Sequence, residues 1–472
     1  MIIGRERELE TLRSAYADEY SQFVVVYGRR RVGKTFLVRE AFNYKFTFQH
    51  TGIANAPKNV QLEEWKKSLQ KNGLNVKDTP RNWFDAFSLL DDLIRKSRAK
   101  RKVIFIDELP WMDTQGSNFV SALEHFWNAY ASARKDVLLI VCGSATSWIV
   151  DKVVHNHGGL HNRLNHKINL KQFTLHECEL YAKSRNLAMQ HRQLLECYMA
   201  LGGVPFYWSL LKKEKSLPQN IDDILFSEDG ELNEEFDALY SSLFKKPETY
   251  ITVITTLGKK RIGMTREKII VESGLSDNGK LSTVLKDLEH CGFIRKYNQI
   301  GKTSKLAIYQ LVDFYTLFYF KFILENKRHD PNFWSKSIGS SLYSNWCGLA
   351  FERVCLAHVN QIKQALSIGG VSTSEYSWFV RKNEEQPGAQ IDLLLDRNDD
   401  TINICEMKYV AAGNYALNAE EEQKILNRRE RFIQETKTTK AVQLTLVTTY
   451  GLTKNPHADV FHNVVVSDSL FL

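Results

Sequence analysis

A glycine-rich loop between an apolar run and a helical segment constrains the fold of this chain more than any other feature. Residues 23–28 read FVVVYG, residues 28–35 read GRRRVGKT, and residues 35–42 read TFLVREAF. A continuous apolar run is typical of a strand that is covered on both faces of its sheet. The pattern GxxxxGK[ST] between a strand and a helix predicts an α/β domain with a parallel sheet.

The same loop indicates a phosphate site. Its glycines allow backbone N–H groups to turn inward around an anion at the amino terminus of a helix. We expect Lys34 to reach the β- and γ-phosphates of ATP and the Thr35 hydroxyl to ligate Mg²⁺. A chance glycine-rich turn is the alternative, and the strand, loop and helix in register disfavour it. The predicted nucleotide-binding residues are Gly28, Arg29, Arg30, Arg31, Val32, Gly33, Lys34 and Thr35.

Two further apolar runs end in polar residues, VIFIDE at Asp107 and Glu108, and VLLIVCGS at Ser144. Such sheets bind ligands at the carboxyl ends of their strands, so Asp107 is expected to hold Mg²⁺ and Glu108 to orient and polarise the attacking water. Ser144 is placed to touch the γ-phosphate or that water, although a strand-to-helix cap explains it nearly as well. Arg163 is a candidate to stabilise phosphoryl transfer, in cis or from a neighbouring molecule, and a surface arginine is the alternative.

Five segments in order carry a family resemblance: IIGREREL, GRRRVGKT, FIDE, CGSATSW and LGGVPFYW. Together they resemble the AAA+-related ATPases of prokaryotes, close to the STAND group. The resemblance covers about the first half of the chain. It implies binding and hydrolysis of ATP with Mg²⁺, a first segment near the adenine, and a helical lid that contains the Gly-Gly-x-Pro turn.

Residues 247–312 predict two short helices followed by a hairpin, an order typical of a winged helix. The second helix, about 277–290, carries Lys280 and Lys286, and cations surround it, which favours contact with the phosphates of nucleic acid. Asp277, Asp287 and Glu289 dilute that charge, and winged helices also serve as protein adaptors. The surrounding cations are Lys259, Lys260, Arg261, Arg295, Lys296, Lys302 and Lys305.

The stretch IDLLLDRNDDTINICEMKY, residues 391–409, reads as two apolar strands joined by a turn. Glu406 and Lys408 are two positions apart, so they project from the same face. Asp392 begins the first strand, and Glu352 lies on an upstream amphipathic helix. Converging carboxylates suit Mg²⁺ or Mn²⁺, and a nearby lysine can help to activate water or offset charge on a phosphodiester. We therefore predict a metal site of Glu352, Asp392 and Glu406, with Lys408 as a catalytic residue.

This constellation resembles the PD-(D/E)xK nuclease fold, and the domain order is similar to that of prokaryotic ATPases with a DUF234-type carboxyl-terminal region. AQID stands where that fold often has a Pro-Asp pair. A structural salt bridge at a sheet edge, or a nuclease-like domain without activity, would also explain Glu406 and Lys408. The implied fold is α/β multidomain: a P-loop NTPase parallel sheet with a helical lid, a winged helix and an α/β restriction-endonuclease-like carboxyl-terminal domain.

The chain of 472 residues is long enough for two to four domains, and the predicted bounds are 1–165, 166–245, 246–315 and 316–472. A net charge of +8 suits an anionic partner. Seven cysteines without CxxC spacing favour a reducing cytoplasm and disfavour zinc. With neither a signal peptide nor a long apolar span, no membrane association is expected.

The predicted function is Mg²⁺-dependent ATP binding and hydrolysis, coupled to a DNA-binding and metal-dependent nuclease module. The alternative is an ATP-switched regulator or scaffold whose carboxyl-terminal half only binds DNA or protein. The expected partners are ATP and DNA or another nucleic acid. A further copy of the chain, in a homo-oligomer, is also a candidate partner.

Overall fold

The computed structural model describes residues 2–144, 146–154, 159–160, 162–244, 246–301, 306–380, 382 and 387–472. The chain divides into two compact units, Met1–Gln172 and Phe173–Leu472. Lys302 and Lys305, which we predicted to contact nucleic acid, lie outside the described residues.

The first unit is built on a parallel sheet, which confirms the predicted α/β class. Within its described residues the strand order is β2-β3-β4-β1-β5, and every neighbouring pair is parallel. β1, β3 and β4 are the apolar runs that the sequence predicts, whereas the short, partly polar β2 and β5 were not predicted. The strands are β1 (Gln22–Tyr27), β2 (Phe48–Thr51), β3 (Lys102–Asp107), β4 (Val137–Gly143) and β5 (His166–Asn169).

Helices cover both faces of this sheet, and alternate residues of β1 show why its apolar run is continuous. Phe23 and Val25 belong to one hydrophobic core, and Val24 and Val26 belong to the core on the other face. Burial on both faces favours an apolar residue at each of these four positions. The helices are α1 (Glu6–Ala17), α2 (Lys34–Ala41), α3 (Lys58–Lys71), α4 (Trp83–Lys96), α5 (Phe119–Phe126) and α6 (Thr146–Ile149).

The second unit begins with a group of helices. The Gly-Gly-x-Pro turn lies in it, and a Cβ at Gly203 would lie 1.9 Å from the carbonyl oxygen of Phe173, so only glycine fits there. Thr174 and Glu177 form a capping box at the first helix. The helices are α7 (Leu175–Ser184), α8 (His191–Leu201), α9 (Pro205–Ser209), α10 (Leu217–Leu225), α11 (Glu235–Leu243) and α12 (Pro247–Gly258).

Two short helices and a small antiparallel sheet follow, with one described strand before the helices and two after them. Thr265 and Asn278 accept hydrogen bonds from backbone N–H groups in the first turns of the two helices, and Gly274 ends the first helix with a φ of 69°. The described strands lie in the order β6-β8-β7. The elements are β6 (Met264–Thr265), α13 (Arg266–Ser273), α14 (Gly279–His290), β7 (Ile294–Tyr297) and β8 (Ile308–Leu311).

The remaining residues form helices and a mixed sheet. The described strand order is β13-β12-β11-β10-β9, with β10 antiparallel to β9 and β11, and β12 parallel to β11 and β13. The elements are α15 (Phe314–Phe318), α16 (Phe333–Ser337), α17 (Ser341–Ala357), α18 (Val359–Ala365), β9 (Thr373–Val380), β10 (Ala389–Arg397), β11 (Thr401–Lys408), α19 (Ala419–Thr436), β12 (Ala441–Thr448) and β13 (Asn463–Val466).

The compact units do not follow the predicted domain bounds in every respect. β5 belongs to the parallel sheet although it begins after residue 165, and the first unit ends at Gln172. The later segments, predicted as lid, winged helix and carboxyl-terminal domain, lie in one compact unit. Among the described residues, no helix is both long and apolar enough to cross a membrane.

Candidate nucleotide site and carboxyl-terminal cavity

The glycine-rich loop follows β1 at the carboxyl edge of the parallel sheet and ends at the amino terminus of α2. Gly28 has a φ of 144°, and a Cβ there would lie 2.2 Å from the carbonyl oxygen of Leu170. Gly33 has a φ of 91°. The buried ammonium of Lys34 donates hydrogen bonds to the carbonyl oxygens of Gly28 and Arg29 at 2.9 and 2.8 Å. Two carbonyl groups of the loop therefore hold the Lys34 ammonium in place.

Thr35, at the start of α2, contacts Asp107 at the end of β3. The Thr35 hydroxyl donates to a carboxylate oxygen of Asp107 at 2.7 Å. The other carboxylate oxygen of Asp107 accepts from the Cys142 thiol at 2.5 Å. Burial, together with the charge of Asp107, raises the pKa of Cys142 well above its ordinary value, so the thiol stays protonated and donates.

Glu108 and Ser144 lie together at the ends of β3 and β4. The Ser144 hydroxyl donates to the Glu108 carboxylate at 3.0 Å, and the Ser144 backbone N–H donates to the same carboxylate at 3.3 Å. Glu108 has a φ of 49°, the left-handed region that non-glycine residues rarely adopt. These bonds hold the Glu108 carboxylate at the end of β4, beside Ser144.

Arg163 lies away from this group. It precedes β5, and Asn165 pairs with Phe23 at the beginning of β1, so Arg163 is at the amino edge of the sheet. The loop begins at the other end of the six-residue β1, about 20 Å away. The expected role in cis therefore does not fit this position, and a role from a neighbouring molecule stays a prediction.

The first segment of the chain, in contrast, lies at the carboxyl edge. The Arg5 guanidinium donates to the carbonyl oxygen of Lys171 at 2.7 Å, directly after β5. Leu170, the preceding residue, is the one that approaches Gly28. A position of this segment near the adenine stays a prediction.

The four residues of the predicted carboxyl-terminal site line one cavity of about 1320 Å³ in the second unit. Glu352 comes from α17, Asp392 from β10, and Glu406 and Lys408 from β11. Leu393 pairs with Cys405, and the same register places Asp392 opposite Glu406. The sequence pattern thus brings these side chains to a common space.

Two of the three carboxylates of the predicted metal site already have cationic partners. The Glu406 carboxylate lies 3.1 Å from the Lys408 ammonium and also accepts a hydrogen bond from Arg428. The buried Glu352 accepts from the Arg261 guanidinium at 2.9 Å. In the described part of the chain, no three His, Cys, Asp or Glu side chains form a group that could hold a metal ion. The metal site stays a prediction.

The third carboxylate of the predicted site, Asp392, lies near the buried guanidinium of Arg353. Burial lowers the pKa of Arg353 to about 9, the charge of Arg295 acts in the same direction, and the charge of Asp392 opposes both. Arg353 donates to the backbone carbonyl oxygen of Arg261. The Gln390 amide also donates to Asp392. The cavity wall therefore balances acidic groups with arginines on several elements.

Two acidic residues around α14 make contacts that the sequence does not indicate. Arg266 donates to Asp277 at 2.7 Å, and the Tyr250 hydroxyl donates to Asp287 at 2.6 Å, so both carboxylates have partners inside the second unit. Lys280 and Lys286 are exposed. This arrangement presents cations of α14 to solvent.

A family comparison decides the nature of the amino-terminal region. A family model described as an ATPase domain predominantly from Archaea matches residues 2–211. Residues 2–211 are an ATPase domain of this family. The ATPase domain comprises the whole parallel sheet and extends through α9 into the second unit. The predicted ATPase is thus confirmed, whereas DNA binding, nuclease activity and the residue roles stay predictions.

Several known proteins are similar to this chain. An uncharacterised protein of Methanocaldococcus jannaschii is 25% identical over 419 residues, which are 87% of this chain and 88% of that protein. An uncharacterised ATP-binding protein of the same organism is 38% identical over 45 residues, 10% of this chain and 76% of that protein. A solved Walker-type ATPase of Pyrococcus abyssi is 17% identical, with a TM-score of 0.48, covering 67% of this chain and 95% of that one.

Sequence reasoning missed two polar contacts at the ends of β3 and β4. Cys142 lies within the apolar run of β4, yet its thiol donates to Asp107. Trp148 donates from its indole N–H to Asp113 at 2.9 Å, which ties the segment after β4 to the segment after β3. Spacing alone could not reveal these contacts, because they join strands that are far apart in sequence.

Proposed function

We propose that the ATPase domain binds Mg²⁺-ATP in the loop Gly28–Thr35 and hydrolyses it at the carboxyl edge of the sheet. The main support is that the segments after β1, β3 and β4 meet at this edge. Thr35, at the start of α2, lies 2.7 Å from Asp107, and Ser144 lies 3.0 Å from Glu108. Hard oxygen ligands next to a buried lysine suit a magnesium-bound triphosphate. Thr35 and Asp107 would hold the ion, which neutralises phosphate charge when it is bound.

The chain's own groups divide the remaining work. Lys34 offsets the charge of the phosphates, and the loop amides orient them. Glu108 accepts a hydrogen bond from the attacking water and takes its proton. Ser144 fixes the Glu108 carboxylate through its hydroxyl and its backbone N–H. Cys142, as a protonated thiol, keeps one oxygen of Asp107 occupied and so orients the other.

For the second unit, we propose a winged helix at residues 246–315 that contacts DNA, next to a nuclease-like domain. Exposed lysines on α14 and the three-stranded sheet support this proposal. Lys259, Lys260 and Arg261 line the carboxyl-terminal cavity, so both parts face one space. Glu352, Asp392 and Glu406 would hold Mg²⁺ or Mn²⁺ there, with Lys408 beside them.

A regulator without nuclease activity is the second candidate function. The ion pairs that Glu352 makes with Arg261, and Glu406 makes with Arg428 and Lys408, favour it. Carboxylates that are paired with cations are satisfied without a metal. In that case ATP binding would switch a DNA- or protein-binding module.

A nuclease assay separates the two functions. Purified chain is incubated with linear and single-stranded DNA and Mg²⁺ or Mn²⁺, and Asp392→Ala and Lys408→Ala are compared with the natural protein. Asp396→Ala is the matched control, because Asp396 lies on the same strand and pairs with Lys440 at 2.7 Å. Cleavage lost only in the first two variants supports the nuclease. Cleavage that survives both variants contradicts the catalytic assignment, and no cleavage by any protein favours the regulator.

A further inference from the structure

The first unit carries an open cleft at the amino edge of its sheet, opposite to the loop Gly28–Thr35. The cleft has a volume of about 1010 Å³. Thr47, just before β2, and Val103, near the start of β3, line its floor, while one face of α1 and the last residues of α2, α3 and α4 line its walls. This cleft shares no lining residue with the loop Gly28–Thr35 or with the carboxyl-terminal cavity.

The charged side chains of the cleft are all cationic. Arg13, Lys45, Lys71, Lys96 and Arg101 line it, and no Asp or Glu is among its described lining residues. Arg101 is buried and donates to three backbone carbonyl groups, which fixes its position in the wall. The other four are exposed and form no ion pair within the described ranges. Four cations without a carboxylate partner favour an anionic ligand.

The helix carboxyl termini at the cleft offset only part of this positive charge. Three helices, α2, α3 and α4, end at the cleft, and a carboxyl terminus is equivalent to roughly −0.5 charge each, or about −1.5 in total. Lys71 and Lys96 are the last residues of α3 and α4, where such complementation is expected. Arg13 and Lys45 lie on none of the three ends. A net positive charge remains after the helix dipoles are satisfied.

A run of basic residues extends this surface. Residues 95–102 read RKSRAKRK, with six cations in eight positions. Two of the six have carboxylate partners: Arg95 pairs with Asp91, and Lys102 pairs with Asp136. Exposed Arg98 and Lys100 continue the positive surface beyond Lys96. Short basic runs of this kind are typical of nucleic-acid patches.

Exposed aromatic rings lie among these cations. Tyr16 and Tyr44 line the cleft and are 45% and 57% exposed. The Tyr16 ring packs on Phe42 with centroids 5.8 Å apart, which fixes its orientation. Unpaired bases stack on such rings, while neighbouring cations contact the phosphates. In a duplex the bases are already stacked and paired, so this combination favours a single strand.

We propose that this cleft binds single-stranded nucleic acid. Tyr16 and Tyr44 stack on unpaired bases, and Arg13, Lys45, Lys71 and Lys96 contact the backbone phosphates. The ligand is recognised by its unpaired bases and charge. The cleft is a second nucleic-acid contact that depends neither on the proposed winged helix nor on the proposed nuclease site.

The test measures binding of the full chain to fluorescent oligothymidylate and oligouridylate of about 20 nucleotides by anisotropy. The triple change Lys45→Ala, Lys71→Ala and Lys96→Ala should weaken binding at least about ten-fold and lower the slope of log K against log salt by about 2, since each phosphate contact to a single strand contributes about 0.7. Lys167→Ala is the matched control, because Lys167 is exposed on β5 at the far edge of the sheet.

Two substitutions of Tyr44 test whether aromatic stacking contributes to binding in the cleft. Tyr44→Ala should weaken single-strand binding about ten-fold, and Tyr44→Phe should retain it, because stacking needs the ring rather than the hydroxyl. Unchanged nucleotide binding and an unchanged Tm show that both variants are folded. Either oligonucleotide supports the proposal, and a difference between them identifies the preferred sugar.

Three results would overturn the proposal. One is affinity of the triple variant equal to that of the natural protein. Another is a loss seen in Lys280→Ala but not in the triple variant, which would place the single strand on α14. The third is equal binding of a duplex and a single strand, with Tyr44→Ala affecting neither.

Discussion

At the scale of single residues, Glu108 shows how backbone geometry positions a functional group. Its φ of 49° is a conformation that costs a non-glycine residue roughly 1–2 kcal/mol. The same residue accepts two hydrogen bonds from Ser144. Strain of this kind persists where the surroundings fix it, commonly at functional sites. The sequence predicted Glu108 from its place after β3, but its strained φ could not be read from residue types.

Ser144 offers the sharpest residue-level prediction in the ATPase domain. Ser144→Ala removes the hydroxyl that fixes Glu108, so the kcat for ATP hydrolysis should fall by about ten-fold or more while nucleotide affinity is unchanged. Ser147→Ala is the control, because the buried Ser147 hydroxyl has no hydrogen-bond partner among the described residues. Steady-state turnover and fluorescent-nucleotide binding measure the two quantities. Equal kcat in both variants would contradict the role of Ser144.

His358 links the stability of the second unit to pH. Burial lowers its pKa to about 4, and its ring accepts from the Leu175 backbone N–H and donates to the Val354 carbonyl. The unfolded imidazole titrates near about pH 6.5. Between these values only the unfolded state binds the proton, so this stability is complete above about pH 6.5 and is lost as the pH falls toward 4.

His358→Gln should therefore flatten the pH dependence of the unfolding free energy. The slope between pH 5 and 6 should decrease by roughly 1 kcal/mol per pH unit, measured by denaturant unfolding of both proteins. His50 is also buried with a pKa lowered to about 4, but it is present in both proteins and its effect cancels. Parallel curves would show that His358 is not the titrating group.

At the scale of elements, burial decides which strands the sequence reveals. β1, β3 and β4 are buried along their length and read as continuous apolar runs. β2 is FQHT and β5 is HKIN. Both are too short and too polar to show the apolar periodicity of a helix or of a strand. β9 and β13 were also missed, because each is only partly buried and its buried positions do not alternate regularly. Sheet neighbours depend on such strands, so the strand order came only from the structure.

The two loop glycines provide a matched prediction. Gly28→Ala places a methyl group 2.2 Å from the Leu170 carbonyl oxygen, so the loop and the end of β5 must separate. Gly33→Ala meets nothing within 4 Å and incurs only the cost of a left-handed backbone, roughly 1–2 kcal/mol. Thermal unfolding without nucleotide should show the larger loss for Gly28→Ala, toward the upper range of about 3 kcal/mol for single substitutions. A larger loss for Gly33→Ala would contradict the close approach.

At the scale of the whole molecule, each compact unit carries its own candidate chemistry. The sequence predicted the loop Gly28–Thr35, the acidic end of β3 and the acidic strand pair, because each is a local pattern. It did not reveal that Arg261, from the segment before β6, pairs with Glu352 on α17. That contact joins residues 91 positions apart and is set by packing within the second unit.

Arg261→Ala tests whether this pair occupies the predicted metal site. Removing the guanidinium leaves the Glu352 carboxylate without that cation, so Mn²⁺ should bind more tightly, by several-fold, in calorimetry or by electron paramagnetic resonance. Arg266→Ala is the control, because Arg266 pairs with Asp277 and does not line the cavity. Mn²⁺ affinity that is equal or weaker in Arg261→Ala would contradict a metal site at Glu352.

ATP turnover by Glu108→Gln, measured beside the natural protein and with bound nucleotide determined in the same samples, tests the proposed hydrolysis. We expect hydrolysis by the natural protein, and unchanged ATP affinity with turnover lower by about 100-fold or more in Glu108→Gln, since a lost general base costs about 10²–10⁴. Lys34→Ala should not bind ATP. Equal turnover by Glu108→Gln and the natural protein, at equal affinity, would show that Glu108 is not the general base.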